Sequence, residues 1–464
     1  MLALVQDEGT KVEQLMALVR QRIERRALVP GARLASVRAM AESRGVSKST
    51  VVEAYDRLVA EGAIRARPGS GYYVAAPLAP LAIATVDGRP EPEIDPLWML
   101  RQSLLTHPDT LKPGSGWLPD SWMPQPLLRK ALRGIARGAD LPSMTHYSSA
   151  MGSEPLRRLI ARRMGEQGVE AGPDQILLTD SGTQAIDLVC RFLLEPGDAV
   201  LIDDPCYFNF QALLRAHRAR PIGVPYTPHG PDVAAFAAAL ETHKPRLYIT
   251  NSACHNPTGA SLSAAVAHRV LKLAEAHGLL IVEDDIFCDF EAEPSPRLAA
   301  FDGLDRVIRV GSFSKSLTSA VRCGHVAARP DWIAALTDLR IATSLSGSPI
   351  ATEFVHAALT DGSYRRHVER LRGRLEQAMT RTIARLRPLG ITPWIEPRAG
   401  LFLWAKLPDG IDAIDVTRRA FAEDMVLAPG NVFSVSESAG NYMRLNVAMM
   451  EDERVYPILA RALE

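Results

Sequence analysis

Residues 306–317 read RVIRVGSFSKSL, an apolar run typical of a β-strand that ends just before Lys315. An amine held at the end of a buried strand loses water, which lowers its pKa and lets it form a Schiff base with an aldehyde. A single lysine after a strand is more often a surface charge. The interpretation of Lys315 therefore depends on the residues at the ends of the other strands.

Four more apolar runs precede this one and alternate with helical stretches: QILLT, AVLID, RLYIT and LLIVED. These intervals suit β-α-β units, so the sequence predicts an α/β fold with a mostly parallel sheet. Functional residues collect at the carboxyl ends of such strands. Neither a Walker A motif nor a dinucleotide-binding glycine motif occurs, which argues against nucleotide folds of those types.

Two polar residues follow these runs. Asp284 ends LLIVED and would place a carboxylate in the crevice, where it needs a cationic partner such as a protonated pyridine nitrogen. A helix cap or a metal ligand is the alternative for this residue. Asn256, in HNPTG, can hydrogen-bond a ring hydroxylate, although its Pro-Thr-Gly tail otherwise indicates only a turn.

A candidate phosphate site lies between the first of these strands and the helical stretch AIDLVCRFLL. Its residues are Ser181, Gly182, Thr183 and Gln184. Their backbone amides would meet the positive end of that helix, which favours an anion. Ser312 and Arg322, on either side of the lysine, could complete the cradle.

Eight motifs follow one another along residues 113–464: Y-x4-G, SGTQ, PGD-x-V, D-x-P-x-Y, NPTG, EDD, SFSK and a late R-L-N. This order resembles that of the fold type I aminotransferases, subgroup I. The resemblance implies a large parallel-sheet domain with a small C-terminal α+β domain, and pyridoxal 5′-phosphate as cofactor. It also implies that Lys315 carries the internal aldimine and that Asp284, as its catalytic companion, pairs with the pyridine nitrogen. Asn256 would then meet the ring oxygen, and Tyr207 would stack on the ring.

The same resemblance assigns roles to two further residues and exposes one difference. Tyr147 matches a tyrosine that reaches the cofactor phosphate of the neighbouring subunit, which implies a homodimer. Arg444 matches the arginine that grips a substrate α-carboxylate with a bidentate pair, a geometry that lysine cannot copy. Many relatives have tyrosine three residues after the aspartate, but this chain has Phe287. Loss of that hydroxyl should alter the proton affinity of the aldimine and puts efficient transamination in doubt.

The first 77 residues have a different pattern. Apolar positions predict a helix over 11–27, a short helix over 36–43, a tight turn at Gly45, and a third helix capped by Ser47. The third helix should bury a stripe that consists of Val52, Tyr55, Leu58 and Val59. The runs AIRAR and YYVA around Pro-Gly-Ser-Gly predict a β-hairpin, and therefore a wing beside a helix-turn-helix.

The phrases SVRAM, GVSKSTVVEAYDRL and GSGYYV resemble the GntR family of winged helix-turn-helix regulators. The resemblance implies contacts with a double-stranded DNA operator from the first turn of the third helix and from the wing. The residues concerned are Arg38, Ser47, Lys48, Ser49, Thr50, Arg65, Arg67 and Gly69. A helical dimerisation module with ordinary surface arginines is the alternative.

Charge and proline content divide the chain. Residues 1–77 carry 12 Lys and Arg against 8 Asp and Glu, a basic end on an otherwise acidic chain. Five prolines then fall within 75–96, which favours extended backbone. The predicted domains are a DNA-binding domain over 1–77, a linker over 78–112 and the cofactor-binding domain over 113–464.

A GntR-type domain before an aminotransferase-like domain resembles the MocR/GabR group of transcription regulators. The resemblance implies a regulator that senses an amino compound, or the cofactor itself, through aldimine chemistry on Lys315. An active aminotransferase with an appended DNA-binding module is the second hypothesis, and a DNA-binding protein whose large domain only dimerises is the third. With no apolar run of membrane-spanning length, no signal-like N-terminus, and five scattered cysteines without zinc-site spacing, we expect a cytoplasmic protein without metal or membrane partner.

Overall fold

The structure, a computed structural model, describes residues 10–24, 28, 31–67, 70–75, 94–107, 109–138 and 145–464. It divides into two compact units, Met1–Glu91 and Pro92–Glu464. Among the helices described, none combines the length and the apolar character needed to cross a bilayer.

The first unit contains three helices followed by a hairpin. They are α1 (Lys11–Glu24), α2 (Val37–Arg44), α3 (Lys48–Ala60), β1 (Ile64–Arg67) and β2 (Gly71–Val74). The predicted order of elements is confirmed, and so is the cap of α3, because the Ser47 hydroxyl accepts a hydrogen bond from the Thr50 amide at 3.1 Å. Gly45 ends α2 in the left-handed conformation, with φ 62°, which suits glycine.

The buried stripe of α3 differs from the predicted one. Val51, Ala54, Tyr55 and Leu58 face the core, whereas Val52 is exposed. Val51 belongs to the stripe because it is one helical turn before Tyr55 and two before Leu58. The prediction for Val52 was therefore wrong.

The second unit is the larger α/β unit. Its helices are α4 (Pro96–Leu105), α5 (Gln125–Gly138), α6 (Glu154–Gly165), α7 (Gly182–Leu193), α8 (Phe208–Ala216), α9 (Val233–His243), α10 (Ala264–His277), α11 (Leu298–Asp302), α12 (Pro330–Ser344), α13 (Pro349–Thr360), α14 (Gly362–Leu386), α15 (Ala413–Ala422) and α16 (Val455–Leu463). Its strands are β3 (Ile176–Thr179), β4 (Ala199–Asp204), β5 (Arg220–Thr227), β6 (Gly230–Pro231), β7 (Leu247–Thr250), β8 (Leu280–Asp284), β9 (Val307–Ser312), β10 (Gly324–Ala327), β11 (Thr392–Pro393), β12 (Phe402–Lys406), β13 (Ala428–Pro429) and β14 (Tyr442–Asn446).

Eight of these strands form the large sheet, in the order β3-β10-β9-β8-β7-β4-β5-β6. Strands β5, β4, β7, β8 and β9 pair in parallel, while β10 is antiparallel to both of its neighbours. The predicted, mostly parallel α/β sheet is confirmed. Its central strands run in the same direction, so the residues that follow their carboxyl ends meet at one edge of the sheet.

Helices cover both faces of the large sheet. Alternate strand residues contribute to two apolar clusters: Leu201 and Ile281 lie in one, and Ile202 and Val282 lie in the other. Burial on both faces explains why the strands read as continuous apolar runs rather than as alternating ones.

A four-stranded antiparallel sheet, ordered β11-β12-β14-β13, forms the C-terminal part of the second unit. Helices α14, α15 and α16 contribute to the apolar cluster behind it. This sheet is the predicted small α+β domain.

Helix α4 lies within the segment that the sequence assigns to the linker. Asp95 caps it by accepting a hydrogen bond from the Trp98 amide, and Pro96 occupies its first turn. Trp98 and Met99 are buried in an apolar cluster with Phe433. The predicted boundaries at 77 and 112 stay predictions, but a helix packed into the second unit precedes residue 112.

Candidate functional site

A cavity of about 630 Å³ lies at the carboxyl ends of the large-sheet strands. Five of these strands contribute a lining residue at or just past their ends: Ser181 after β3, Tyr207 after β4, Asn251 after β7, Asp284 from β8 and Ser312 from β9. Arg444, from β14 of the small sheet, also lines the cavity.

Lys315 is half-buried in this cavity, three residues after the end of β9. Its Nζ donates a hydrogen bond to the backbone oxygen of Gly116 at 2.6 Å. Burial, together with the positive charge of Arg444, lowers the pKa of Lys315 to about 8. About a tenth of the amine is therefore neutral at pH 7, far more than for an ordinary lysine, and the neutral amine is the nucleophilic form.

Asp284 presents a buried carboxylate without a strong cationic partner. Burial raises its pKa to about 7. One carboxylate oxygen accepts a hydrogen bond from the Ile286 amide at 3.2 Å, and the Asn251 side chain donates to the Asp284 backbone oxygen at 3.0 Å. A ligand cation beside Asp284 would return it to the ionised form.

Arg444 is a fully buried guanidinium. It donates hydrogen bonds to the Asn256 side-chain oxygen at 2.9 Å and to the Gly114 backbone oxygen at 2.6 Å. Its guanidinium carbon lies 4.3 Å from the centre of the Phe402 ring. Burial lowers its pKa to about 9, and no ion pair with an acid is found for it among the described residues. The Arg444 guanidinium therefore lacks a counter-anion, and the carboxylate of a bound ligand could supply one.

The candidate phosphate site surrounds the first turn of α7. The Ser181 hydroxyl accepts a hydrogen bond from the Gln184 amide at 3.0 Å. The Gln184 side chain turns back to Asp180 and does not line the cavity. Ser181, Gly182 and Thr183 do line it, and the free backbone amides of a helix's first turn favour an anion.

Ser312 and Arg322 line the same cavity. The Ser312 hydroxyl lies 2.9 Å from that of Ser314 and donates to the Cys323 backbone oxygen at 3.2 Å. Arg322 is exposed and has a left-handed backbone, φ 54°.

Three predicted aromatic positions have different surroundings. Tyr207 lines the cavity and packs edge-on against Phe210. Phe287 lines it too, buried against Phe290 and Phe402. Tyr147 is 81% exposed and lies outside the cavity of its own chain.

Sequence reasoning missed several residues of the cavity. Gly114 and Gly116 supply the carbonyls that hold Arg444 and Lys315, and Asn446 fixes their loop through bonds to the Ser115 and Trp117 oxygens. The late R-L-N motif was a usable signal for Asn446. Asn251, directly after the predicted strand RLYIT, was another. Helix α4 also contributes to the cavity wall and was hidden by the proline-rich composition around it.

The predicted DNA contacts lie in the first unit. Lys48, Ser49 and Thr50 open α3, and Arg65 and Arg67 project from β1, where the side chains after Ile64 are exposed. Arg67 lies over the Tyr73 ring at 4.7 Å. Arg38 is exposed on α2 and pairs with Glu42 at 3.0 Å, while Ser47 is engaged in its cap. Gly69 lies outside the described residues.

Two family profiles match the chain. The one described as "Aminotransferase class I and II" covers residues 118–461, and the one described as "Bacterial regulatory proteins, gntR family" covers residues 11–74. Together they account for both units of the structure.

Two relatives align with this chain over nearly its whole length. The chain is 31% identical over 459 residues to the uncharacterized HTH-type transcriptional regulator YjiR of Escherichia coli (strain K12), covering 95% of each chain. It is 31% identical over 458 residues to YdcR of the same strain, described in the same words, covering 96% of each. Among solved structures, the alpha-aminoadipate aminotransferase LysN of Thermus thermophilus, complexed with N-(5′-phosphopyridoxyl)-L-leucine, has a TM-score of 0.72 at 26% identity. That match covers 79% of this chain and 94% of LysN.

The fold and the cavity thus define a fold type I aminotransferase domain, and the chain belongs to the aminotransferase class I and II family. Because a GntR-family helix-turn-helix precedes this domain, the chain has the architecture of MocR/GabR-type transcription regulators. Its cofactor is pyridoxal 5′-phosphate, as in this family. The cavity fits that group: it offers an amine of lowered pKa, a buried carboxylate that lacks a cation, and a helix N-terminus.

The pKa of Lys315 sets an expected pH dependence for attachment of the cofactor. Because only the neutral amine attacks an aldehyde, the attachment rate of cofactor-free protein should rise about tenfold per pH unit below pH 8 and level off above it. Stopped-flow absorbance after mixing with pyridoxal 5′-phosphate measures this rate. A rate that keeps climbing towards the ordinary lysine pKa of 10.5 would contradict the lowered value.

Proposed function

We propose that this chain is a DNA-binding transcription regulator whose large domain senses an amino compound, or pyridoxal 5′-phosphate itself, at Lys315. The observation that carries the proposal is the presence, in one chain, of a winged helix-turn-helix and of a cavity where Lys315, Asp284 and Arg444 converge. Because DNA is the proposed target, we propose the cytoplasm as its location.

The residues of the cavity have distinct roles in this proposal. Pyridoxal 5′-phosphate supplies an aldehyde that links to amines and a ring that withdraws electrons. Lys315 would be the attachment point, and Asp284 would hold the proton on the ring nitrogen. Asn256 would contact the ring oxygen, and Tyr207 would lie against the ring. Arg444 receives the carboxylate of the effector.

The remaining cradle residues hold the phosphate. Gly182 and Thr183 would offer backbone amides, and Ser181, Ser312 and Arg322, which line the same cavity, would add side-chain donors. We further propose a homodimer in which Tyr147 contacts the partner's cofactor site, which fits its 81% exposure outside the cavity of its own chain.

The test is binding of the full-length protein to the upstream region of its own gene, with and without pyridoxal 5′-phosphate and a panel of amino compounds. We expect the cofactor or an effector to change the DNA affinity by about tenfold, because allosteric coupling is typically about 5- to 150-fold. If no addition changes the DNA affinity and Lys315→Ala binds DNA as wild type does, the proposal that the large domain senses a ligand at Lys315 is wrong.

The DNA surface gives a second expected result. Lys48→Ala and Arg65→Ala should each weaken DNA binding and reduce the slope of log K against log salt by about 0.9, the share of one phosphate contact. The matched control is Arg57→Ala, because Arg57 lies in the last turn of the same helix as Lys48 and pairs with Glu53 at 2.5 Å. Fluorescence anisotropy over a salt series measures the slopes. An equal loss in the Arg57 variant would speak against this surface.

A second candidate function is amino-group transfer between an amino acid and a keto acid. It is favoured by the lowered pKa of Lys315, since a neutral lysine amine can also move a proton during turnover. Steady-state turnover with an amino donor and a keto acid separates it from sensing alone.

Phe287 provides a sharper test of this candidate. Phe287→Tyr places a hydroxyl at the cavity wall, and we expect a shift in the pH at which the absorbance of the bound cofactor changes, with faster transamination. Spectral titration of both proteins and their turnover rates measure the two effects. The control is Phe290→Tyr, a buried neighbour that does not line the cavity. Superimposable titrations of wild type and Phe287→Tyr would count against a role for the missing hydroxyl.

A further inference from the structure

One wall of the cavity comes from α4, the first described helix of the second unit. Met99, Leu100, Ser103 and Leu104 of this helix line the cavity. Leu118 and Met123, from the segment before α5, add to the same apolar lining. The part of the wall that α4 supplies is therefore apolar except for the Ser103 hydroxyl, while Trp117 and Asp120 of the following segment add an indole ring and a carboxylate.

The charged side chains that line the cavity are few. Among the described residues they are Asp120, Asp284, Lys315, Arg322 and Arg444. The proposed function uses the last four for the ring nitrogen, the attachment point, the phosphate and the effector carboxylate. Asp120 alone remains, an exposed acid at the start of the short helix Asp120–Trp122. No cation is thus left, within the described lining, for a second carboxylate.

From this wall we infer that the effector is an α-amino acid with an uncharged aliphatic side chain, which packs against α4. The inference rests on the proposed function, since Arg444 must hold the α-carboxylate. An acidic side chain would lose water against aliphatic residues, gain no partner and face the negative charge of Asp120. A basic side chain could meet Asp120, but Asp120 is exposed, so water would screen that ion pair and it would add little affinity.

Three amino acids with the same six-carbon chain test the inference: norleucine, lysine and 2-aminoadipate. The full-length protein loaded with cofactor is titrated with each, and the change in cofactor absorbance gives the affinity. We expect norleucine to bind most tightly and 2-aminoadipate about tenfold or more weakly, in the range that pocket polarity usually provides. Binding of 2-aminoadipate or lysine at least as tight as that of norleucine would overturn the inference.

Two adjacent leucines provide a matched pair of variants. Leu104 and Leu105 are 69% and 79% exposed, so either position accepts arginine without opening the core, but only Leu104 lines the cavity. Leu104→Arg should shift the ratio of norleucine to 2-aminoadipate affinity by about tenfold towards the diacid, because it supplies the absent cation. Leu105→Arg should keep the wild-type ratio.

The outcomes separate this inference from the function on which it rests. If amino acids change the absorbance and the DNA affinity but the diacid is preferred, or if both arginine variants behave alike, the α4 wall is not the selective element and only this inference fails. If no amino acid changes either signal, this inference fails together with the sensing of amino acids on which it rests; if the cofactor also leaves the DNA affinity unchanged, the whole proposed function fails.

Discussion

Lys315→Ala should abolish covalent retention of the cofactor and, with it, any effect of amino compounds on DNA binding. The variant loses the only amine found in the described lining of the cavity, so pyridoxal 5′-phosphate would be held by hydrogen bonds and charge alone. Borohydride reduction followed by mass spectrometry measures retention: wild type should gain the mass of the cofactor, and the variant should not.

The control for this experiment is Lys272→Ala, which removes a lysine of α10 that does not line the cavity. It should retain the cofactor as wild type does. The DNA affinity of the Lys315→Ala variant without additions should stay within about twofold of cofactor-free wild type, because Lys315 lies outside the DNA-binding unit. A Lys315→Ala protein that still responds to amino compounds would show that sensing does not pass through this lysine.

The parts of the fold that follow from local patterns could be predicted from the sequence. Runs buried on both faces of a sheet are continuous and apolar, which made β3, β4, β7, β8 and β9 visible as strands. Gly45 and Ser47 marked the end of α2 and the start of α3 in the same way, through a left-handed turn and a helix cap. The error at Val52 arose because two valines, Val51 and Val52, are adjacent there and packing against the rest of the unit decides which one faces the core.

The residues of the candidate site also fall into two groups, those that a local sequence pattern predicts and those that it does not. Residues at strand ends were predictable because strand ends collect functional groups, as Asp284 and Lys315 illustrate. The contribution of α4 was not predictable, because prolines near its start suggested extended chain. The Asp95 cap and Pro96 in the first turn are, in retrospect, the signals of a helix. Contacts over long sequence distances, such as that of Lys315 with the Gly116 oxygen, leave no local pattern at all.

Arg444→Lys should remove most of the preference of the protein for ligands that carry an α-carboxylate. A lysine keeps the charge but cannot form the bidentate pair, and it cannot also hold the Asn256 side chain and the Gly114 oxygen. We expect the affinity for norleucine to fall about a hundredfold, as for the loss of two charge-assisted hydrogen bonds in a buried site. The affinity for pentylamine, which is norleucine without its carboxylate, should fall much less.

The ratio of the two affinities makes this prediction independent of general damage to the protein. A variant that is only destabilised weakens both ligands alike, whereas loss of a carboxylate partner weakens norleucine alone. Arg340→Lys is the matched control, because Arg340 is equally buried but donates to the Ala150 backbone oxygen at 3.1 Å, and it does not line the cavity. Titration of the cofactor absorbance with each ligand gives the ratios. An unchanged ratio in Arg444→Lys would mean that the effector carboxylate is held elsewhere, and Arg322, the other arginine of the described lining, would then be the residue to substitute.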